Sequence, residues 1–429
     1  MTIFRSQVLD APDDPFAGGQ LRADTDAGLL VRDGVIVERD AFPALLARYT
    51  DEKVVDLGGG GVLLPGLVDT HVHYPQLRAI GALGMPLLEW LDRTALPEEA
   101  RFADVDYARS VAGEFVTALI DAGTTTALVF GSHFASAVHV LFEAAHAHGL
   151  RITSGLVVGD RLLRPELHTT PERAYAEGRA LAARWHGVGR VRYAVTPRFT
   201  LSCTEELLAS CARLYKDVDG SWFTSHLNEN AAEIEKVQQL TGCGYVDSYD
   251  RHGLVGPRSV FAHNVHPTDS ELKVLAASGA AVAHCPTSNA ALGSGLFPLD
   301  RHLTYGVAVA LGCDVGAGAG FSLFKEALQA YFGQQLRGRD GVRLTAAHLL
   351  YLATNAGANV LGLGDQVGDL GVGKQFDAIW VAPPAGTALD VGLRHAASPE
   401  DLLAKTFALA TPHDVAQVWI AGVPVKASS

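Results

Sequence analysis

Short apolar runs alternate with longer amphipathic stretches through the middle of the chain. Runs of roughly four to eight apolar residues are typical of buried strands, and the longer stretches between them have the period of helices. After a first strand that ends at His71, the predicted strands cover 125–130, 151–158, 191–196, 223–226, 260–263, 280–284 and 308–312. The predicted helices cover 105–122, 135–148, 171–185, 204–216, 230–240, 268–277 and 324–336. This alternation favours an α/β fold with a (β/α)8 TIM-like barrel, and a doubly wound open sheet is the alternative.

The two ends of the chain have a different pattern, in which short β-like runs are separated by turns. Asp33 and Gly34 separate two apolar runs, which is a strong hairpin signal. Similar runs at 377–381 and 418–425 flank a predicted helical insertion at 386–415. We therefore expect residues 1–64 and 369–429 to form one small β-sandwich domain beside a catalytic barrel of residues 65–368. Two unrelated β appendages are the alternative.

Two histidines, His71 and His73, stand at the polar end of the first predicted barrel strand. Because alternate side chains of a strand face the same side, both imidazoles point to one place. Imidazole is a common ligand of zinc and iron, and two of them leave positions for further protein ligands and a water molecule. The pair therefore predicts a metal site, with a purely structural role as the alternative.

Other predicted strands also end in polar residues that can bind a metal. His226 and His263 each end a strand, and Asp314 follows the last one. Reactive groups of a barrel lie at the carboxyl ends of its strands, so these three residues and the histidine pair predict one constellation. Any one of them alone would more simply be structural. We expect packing or surface roles for His139, His146, His148 and His186. His284 also ends a strand, and we expect a structural role for it or a supporting role beside the site, with a direct site role as the alternative.

Composition and charge narrow the class of partner. Of the 429 residues, 48% are hydrophobic and 19% are charged, which is typical of a well-packed folded protein. The formal net charge of −13 argues against nucleic acid and anionic membrane as partners, so a small uncharged ligand is favoured. The five cysteines are scattered, and the chain has neither a leader-like N-terminus nor a long apolar run. We expect a cytoplasmic protein without disulfides.

Seven sequence motifs, in their order along the chain, carry a family resemblance. They are HVHYPQ, LLEWLDRTALPEEARF, TPRFTLSC, SHLNEN, FAHNVH, HCPTSNAALGSGLFPL and GCDVGAGAGFS. Together they resemble the guanine deaminase family, in the metal-dependent deaminase branch of the amidohydrolase superfamily, over nearly the whole chain. The resemblance implies hydrolytic deamination of guanine to xanthine and ammonia by a homodimer that binds one Zn²⁺ ion per site.

The same resemblance implies roles for individual residues. The zinc ligands would be His71, His73, His226 and Asp314. The residues that act on the attacking water or on protons would be Glu229, His263 and Asp314, and those that contact the purine would be Gln76, Arg198, Phe199, His226, Glu229 and Asp314. For Glu229 the alternative is an ordinary acidic residue in the first turn of a helix, where the helix dipole favours it.

The distribution of lysine bears on the number of metal ions. Binuclear members of the superfamily generally bridge their ions with a carboxylated lysine from the fourth strand. Here no lysine lies between Lys53 and Lys216, and Lys216 falls in a predicted helix. One ion is therefore the simpler expectation.

Two further observations leave alternatives open. The glycine run GAGAGFS lacks the spacing of a dinucleotide-binding loop, so we expect it to allow close backbone packing around Asp314. The substrate could instead be a related heterocycle such as an oxidised purine, a pterin or a triazine. A non-catalytic scaffold on the same fold is the remaining alternative.

Overall fold

The computed structural model describes residues 1–426. Its strands are β1 Thr2–Asp10, β2 Arg22–Arg32, β3 Val35–Ala41, β4 Lys53–Asp56, β5 Val62–Pro65, β6 Leu67–His73, β7 Thr124–Phe130, β8 Arg151–Gly155, β9 Val157–Val158, β10 Val191–Pro197, β11 Trp222–Leu227, β12 Ser259–His263, β13 Ala281–His284, β14 Ala308–Leu311, β15 Ala378–Val381, β16 Val415–Ile420 and β17 Val423–Pro424. These strands form two separate sheets.

Helices connect most of the strands. The α-helices are α1 Phe42–Arg48, α2 Leu87–Trp90, α3 Leu96–Ala100, α4 Val105–Asp121, α5 Ala135–Ala147, α6 Pro171–Trp185, α7 Glu205–Asp217, α8 Ala231–Thr241, α9 Tyr245–Asp250, α10 Asp269–Ser278, α11 Pro286–Ala291, α12 Leu299–Tyr305, α13 Leu323–Leu336, α14 Ala346–Ala353, α15 Asn355–Val360, α16 Ala388–Arg394 and α17 Pro399–Leu409. A π-helical turn covers Leu91–Ala95, and 3₁₀ turns cover Pro15–Ala17, Tyr74–Ala79, Arg101–Ala103, Pro165–Leu167, Thr200–Ser202, Gly338–Asp340 and Pro412–Asp414. Within residues 1–426, no helix has the length and apolar character needed to cross a membrane.

The central sheet is a parallel barrel. Strands β6, β7, β8, β10, β11, β12, β13 and β14 lie side by side in chain order, and β9 extends the β8 position along β10. Every residue of β6, β7 and β11 is buried, because helices cover the outside of the barrel while side chains fill its interior. The predicted (β/α)8 TIM-like barrel is confirmed, and the open-sheet alternative is wrong.

Backbone contacts at the carboxyl end close the barrel between its first and last strands. The Asp314 N–H donates to the His71 carbonyl at 2.8 Å, and the His73 N–H donates to the Val315 carbonyl at 3.0 Å. A Cβ at Gly312 would lie 2.7 Å from the His71 Cβ, so this close approach requires glycine. Closure thus brings the segment after β14 directly against the histidine pair on β6.

The second sheet joins the two ends of the chain. Its strands follow the order β17, β16, β15, β5, β1, β2 and β3, with β4 also paired to β1. Asp33 and Gly34 form the turn between β2 and β3 with positive φ angles of 51° and 80°, which suits a two-residue hairpin. Both chain ends therefore contribute strands to one sheet, as predicted, and the separate-appendage alternative is wrong. The sandwich form of this domain stays a prediction. The division at 64/65 and 368/369 stays a prediction, and residues 427–429 of its last part lie outside the described residues.

A buried ion pair fastens the β domain to the barrel. Arg151, at the start of β8, donates from Nε to Asp377 Oδ2 at 2.8 Å, and Asp377 precedes β15. Asp377 Oδ1 also accepts from the Ala421 N–H at 2.7 Å. Both charged side chains are almost fully buried, so removal of one partner would leave an uncompensated charge inside the protein.

The variant Asp377→Ala should therefore lower the free energy of unfolding by about 3–5 kcal/mol. The matched control is Asp26→Ala, which removes a half-exposed carboxylate that pairs with Arg5 at 2.8 Å and should cost about 1 kcal/mol or less. Urea unfolding followed by circular dichroism measures both. Equal effects of the two substitutions would contradict the role of the buried pair.

Candidate metal centre and adjoining pocket

Four side chains converge at the carboxyl end of the barrel. The Nε2 atoms of His71 and His73 are 3.1 Å apart, and the Nε2 atom of His226 lies 3.2 Å from that of His73. Asp314 Oδ1 is 3.2 Å from the Nε2 atoms of both His71 and His73. Tetrahedral zinc with ligand distances of about 2.0–2.1 Å separates its ligands by about 3.3 Å, so these residues fit a metal ion.

The protonation state of the histidines also suits a metal. His226 Nδ1 donates to the Arg198 carbonyl at 2.6 Å, which leaves the lone pair of Nε2 directed at the other ligands. Burial lowers the pKa of His73 to about 4, and the same desolvation lowers the pKa of His71, so both imidazoles are neutral. Facing lone pairs of neutral imidazoles beside a carboxylate repel one another unless a cation lies between them.

Within residues 1–426, these four residues form the one cluster of three or more potential metal ligands. The fourth barrel strand, β10, contains no lysine, in agreement with the sequence. Asp314 lies three residues beyond the end of β14 and has a positive φ of 48°. Such a backbone conformation is costly for a non-glycine residue and is characteristic of functional sites.

His263 lies beside the four ligands but outside their group. Its Nε2 atom is 3.5 Å from Glu229 Oε2 and 3.9 Å from Asp314 Oδ2, and its Nδ1 atom is 3.0 Å from Asn289 Oδ1. Since the Asn289 oxygen accepts the Nδ1 proton, Nε2 carries a lone pair that faces the two carboxyl groups. His263 can therefore hold a polar molecule between Glu229 and Asp314.

Glu229 lies just before helix α8, whose N-cap is Asn230. It is therefore outside the first helical turn, contrary to the alternative in which it is a dipole-stabilised helix residue. Burial and the charge of Asp314 raise the pKa of Glu229 to about 8, so its carboxyl group is protonated at neutral pH. Ser294 Oγ donates to Glu229 Oε1 at 3.3 Å and orients it.

A cavity of about 350 Å³ joins the metal ligands to the other predicted site residues. Among the predicted site residues, its lining includes His73, Gln76, Arg198, Phe199, His226, Glu229, His263 and Asp314. The remaining predicted residue, His71, is fully buried and does not reach the cavity. Apolar residues that the sequence analysis did not assign complete the wall: Leu87, Trp90, Leu91, Leu292 and Ala317. The cavity is therefore polar on the metal side and apolar on the other sides.

Glu99, which no sequence pattern indicated, holds two of the predicted site residues. Its carboxylate accepts from Arg198 Nη1 at 2.5 Å and from Gln76 Nε2 at 2.8 Å, and it lies 3.3 Å from His133 Nε2. Burial opposes its ionisation, but the charge of Arg198 outweighs burial and keeps the pKa of Glu99 below its usual range. Glu98 and Glu99 are adjacent in the sequence, and nothing in their spacing indicates which of them turns inward.

The glycine run after Asp314 packs against the pocket wall as expected. Gly316 donates its N–H to Gln76 Oε1 at 3.0 Å, and a Cβ there would lie 2.3 Å from the Gln76 carbonyl oxygen. A Cβ at Gly318 would lie 1.8 Å from the Cys313 carbonyl oxygen. Both ends of the Gln76 amide are thus fixed, one by Glu99 and the other by this loop.

Comparisons of sequence identify relatives along nearly the whole chain. Residues 62–425 match the amidohydrolase family. A probable guanine deaminase from Deinococcus radiodurans is 60% identical over 98% of both chains. The guanine deaminase of Escherichia coli is 39% identical, over 97% of this chain and 94% of its own.

Solved structures give the same result for the fold. The structure of E. coli guanine deaminase superposes with a TM-score of 0.95 and 36% identity over 99% of both chains. A guanine deaminase from C. acetobutylicum with guanine bound in its active site superposes with a TM-score of 0.91 and 26% identity over 99% of both chains. An adenosine deaminase from Xanthomonas campestris with bound zinc superposes with a TM-score of 0.86 and 26% identity, over 99% of this chain and 92% of its own.

Proposed function

The chain belongs to the amidohydrolase family, and we propose that it is an enzyme that hydrolyses guanine to xanthine and ammonia. One observation carries the proposal: a group of metal ligands, a buried carboxyl group and a guanidinium group line a single cavity of about 350 Å³. Near full-length identity to guanine deaminases supports the same reaction. This intact set of reactive groups argues against a non-catalytic scaffold.

We propose one Zn²⁺ ion, held by His71, His73, His226 and Asp314. Three neutral imidazoles and one carboxylate are a donor set that zinc prefers, and their spacing supports a four-ligand site. When bound, zinc would lower the pKa of a water molecule from 15.7 to about 7 and so make hydroxide available at neutral pH. The bound zinc of the similar adenosine deaminase supports this choice of metal.

Proton transfer is the task of Glu229. Attack at the aromatic carbon that bears the amino group requires a proton on the adjacent ring nitrogen, and Glu229 is protonated at neutral pH because burial raises its pKa to about 8. The carboxylate left after this step can accept a proton from the attacking water and pass it to the departing ammonia. His263 lies 3.5 Å from Glu229 and 3.9 Å from Asp314 and orients the attacking water between them. Asp314 is the second group that can accept a proton from this water.

Recognition of the base is the task of Arg198, Gln76 and Phe199. Arg198 uses Nη1 for Glu99, which leaves Nη2 and Nε to donate to the oxygen of guanine. Phe199 offers a buried aromatic face to the ring, and Gln76 contacts its edge. A site built to bind a carbonyl oxygen strongly disfavours a base that lacks it, so adenine should be a poor substrate.

Two implications of the resemblance remain predictions. They are a homodimeric assembly and a cytoplasmic location. Neither bears on the geometry of the pocket, which one chain forms with its own residues.

Purified protein should release ammonia from guanine, and chelation should abolish the activity. Addition of Zn²⁺ should restore it, because the ligand group then regains the ion that supplies hydroxide. Loss of guanine is followed by ultraviolet absorbance and ammonia by a coupled assay, with adenine as the control base. Zinc bound at one ion per chain without any turnover of guanine would refute the substrate.

The variant Glu229→Gln should lower kcat by about 10²–10⁴-fold, because the amide cannot deliver the proton. Its zinc content should stay at the level of the unaltered protein, since Glu229 is not a ligand. Glu235→Gln, an exposed residue of the following helix, is the matched control and should retain full activity. Undiminished turnover in the Glu229 variant would remove this residue from the mechanism.

The variant Glu99→Gln should raise KM for guanine about tenfold or more, because Arg198 and Gln76 lose the charged group that holds them. The fall in kcat should be smaller, and zinc content should not change. Glu98→Gln is the matched control, since Glu98 pairs with Arg101 at 2.9 Å and with the Tyr107 hydroxyl and is not part of the cavity lining. Steady-state kinetics and metal analysis test both variants, and an unchanged KM would count against a positioning role.

A further inference from the structure

A second cavity lies at the opposite end of the barrel from the metal ligands. Measured in the same way as the catalytic cavity, it contains about 1100 Å³ of empty space, part of which is open to solvent. Arg151 at the start of β8 and Arg192 near the start of β10 form part of its lining, together with the loop before β10. Gln375, which precedes β15, brings the β domain into the same wall. The cavity thus lies where the barrel meets the β domain.

The charge of this cavity is strongly positive. Arg151, Arg190 and Arg192 all line it, and the neighbouring carboxylate, Asp377, is bound to Arg151 at 2.8 Å. Within residues 1–426, Arg190 and Arg192 take part in no ion pair with a carboxylate. Two uncompensated guanidinium groups at one cavity are unexpected in a chain with a formal net charge of −13.

Arg192 is fixed in position and keeps one free donor. Its Nε donates to Thr153 Oγ1 at 3.0 Å, its Nη1 donates to the Leu361 carbonyl at 2.8 Å, and its guanidinium lies 5.1 Å from the Trp222 ring. Nη2 is buried and has no hydrogen-bond partner among the described residues. Because Nη2 is enclosed by protein atoms, a ligand in the cavity cannot contact it, and the charge of this fixed guanidinium requires a nearby negative charge to balance it.

The electrostatic environment agrees with that requirement. Burial, followed by the charge of Arg151, lowers the pKa of Arg192 to about 10, and burial also lowers the pKa of Arg190. Both groups therefore remain cationic at neutral pH but are destabilised by their surroundings. A negative charge in the cavity would remove that destabilisation.

We propose that this cavity binds a small anion that carries a phosphate group, with Arg190 as its direct cationic contact and the fixed charge of Arg192 close by. The planar guanidinium fork matches the oxygens of phosphate, and charge-assisted hydrogen bonds are the stronger kind. Gln375 Oε1 accepts from Arg151 Nη2 at 2.5 Å, which leaves the Gln375 Nε2 as a further donor. The site is distinct from the catalytic pocket, and the proposal does not depend on the reaction catalysed there.

Calorimetric titration of the full chain tests the proposal with two probes, inorganic phosphate and ribose 5-phosphate. Both are titrated at constant ionic strength with chloride as the balancing anion. We expect saturable binding at one site per chain for at least one probe. Tighter binding of the ester would identify a phosphorylated metabolite as the ligand class, and equal or tighter binding of inorganic phosphate would identify the free ion. The absence of saturable binding for both probes would overturn the proposal.

Three variants locate the site. Arg190→Gln removes one cationic contact, and Gln366→Glu adds a negative charge to the cavity wall. Each should weaken binding about tenfold or more. Arg179→Gln is the matched control, since Arg179 lies on the surface of α6 beside Tyr175 and should leave binding unchanged. Equal binding by all three variants would overturn the proposal, and thermal melting of each variant establishes that it is folded.

Discussion

The convergence of three neutral imidazoles and one carboxylate at a buried point is the constraint on which the catalytic end of the barrel depends. His71 and His73 project from β6, the first barrel strand, but His226 comes from β11, the fifth strand in the barrel order. Asp314 arrives only because backbone hydrogen bonds join its segment to β6. The ligands are therefore in reach of one another only when the barrel is closed.

The pocket beside this group depends on a second buried charge network. Glu99 comes from the connection between β6 and β7, whereas Arg198 follows β10, so their 2.5 Å contact ties two loops together across the mouth of the barrel. The charge of Arg198 keeps Glu99 ionised despite burial. Glu229 forms no direct ion pair with an arginine or lysine among the described residues, and burial beside Asp314 raises its pKa more than the charge of Arg198 lowers it. Two buried glutamates thus differ in protonation state because only one of them is paired directly with a guanidinium group.

The other end of the barrel has the opposite electrostatic character. There Arg151 is neutralised by Asp377 of the β domain, while Arg190 and Arg192 form no ion pair with the acidic residues that the structure describes. The two ends of one barrel therefore present a carboxylate-containing metal site and a cationic cavity. This separation follows from the barrel itself, since the first and last residues of each parallel strand lie at opposite faces.

The sequence by itself determined the barrel and most of the residues at its catalytic end. Strand periodicity and polar strand ends located His71, His73, His226 and His263, because parallel strands all present their last residues at one face. Asp33 and Gly34 indicated a hairpin of the β domain, because an Asp-Gly pair favours a two-residue turn between strands. These features depend on neighbours in the chain, so pattern alone can predict them.

Only the tertiary structure decided the features that depend on distant contacts. Glu99 turns inward, rather than its neighbour Glu98, because it binds Arg198 and Gln76. These partners lie 99 and 23 residues away from Glu99 in the sequence. The same is true of the uncompensated charge of Arg192, which forms no ion pair with any carboxylate in the described part of the chain. Charge compensation is a property of the folded arrangement, and spacing along a chain does not encode it.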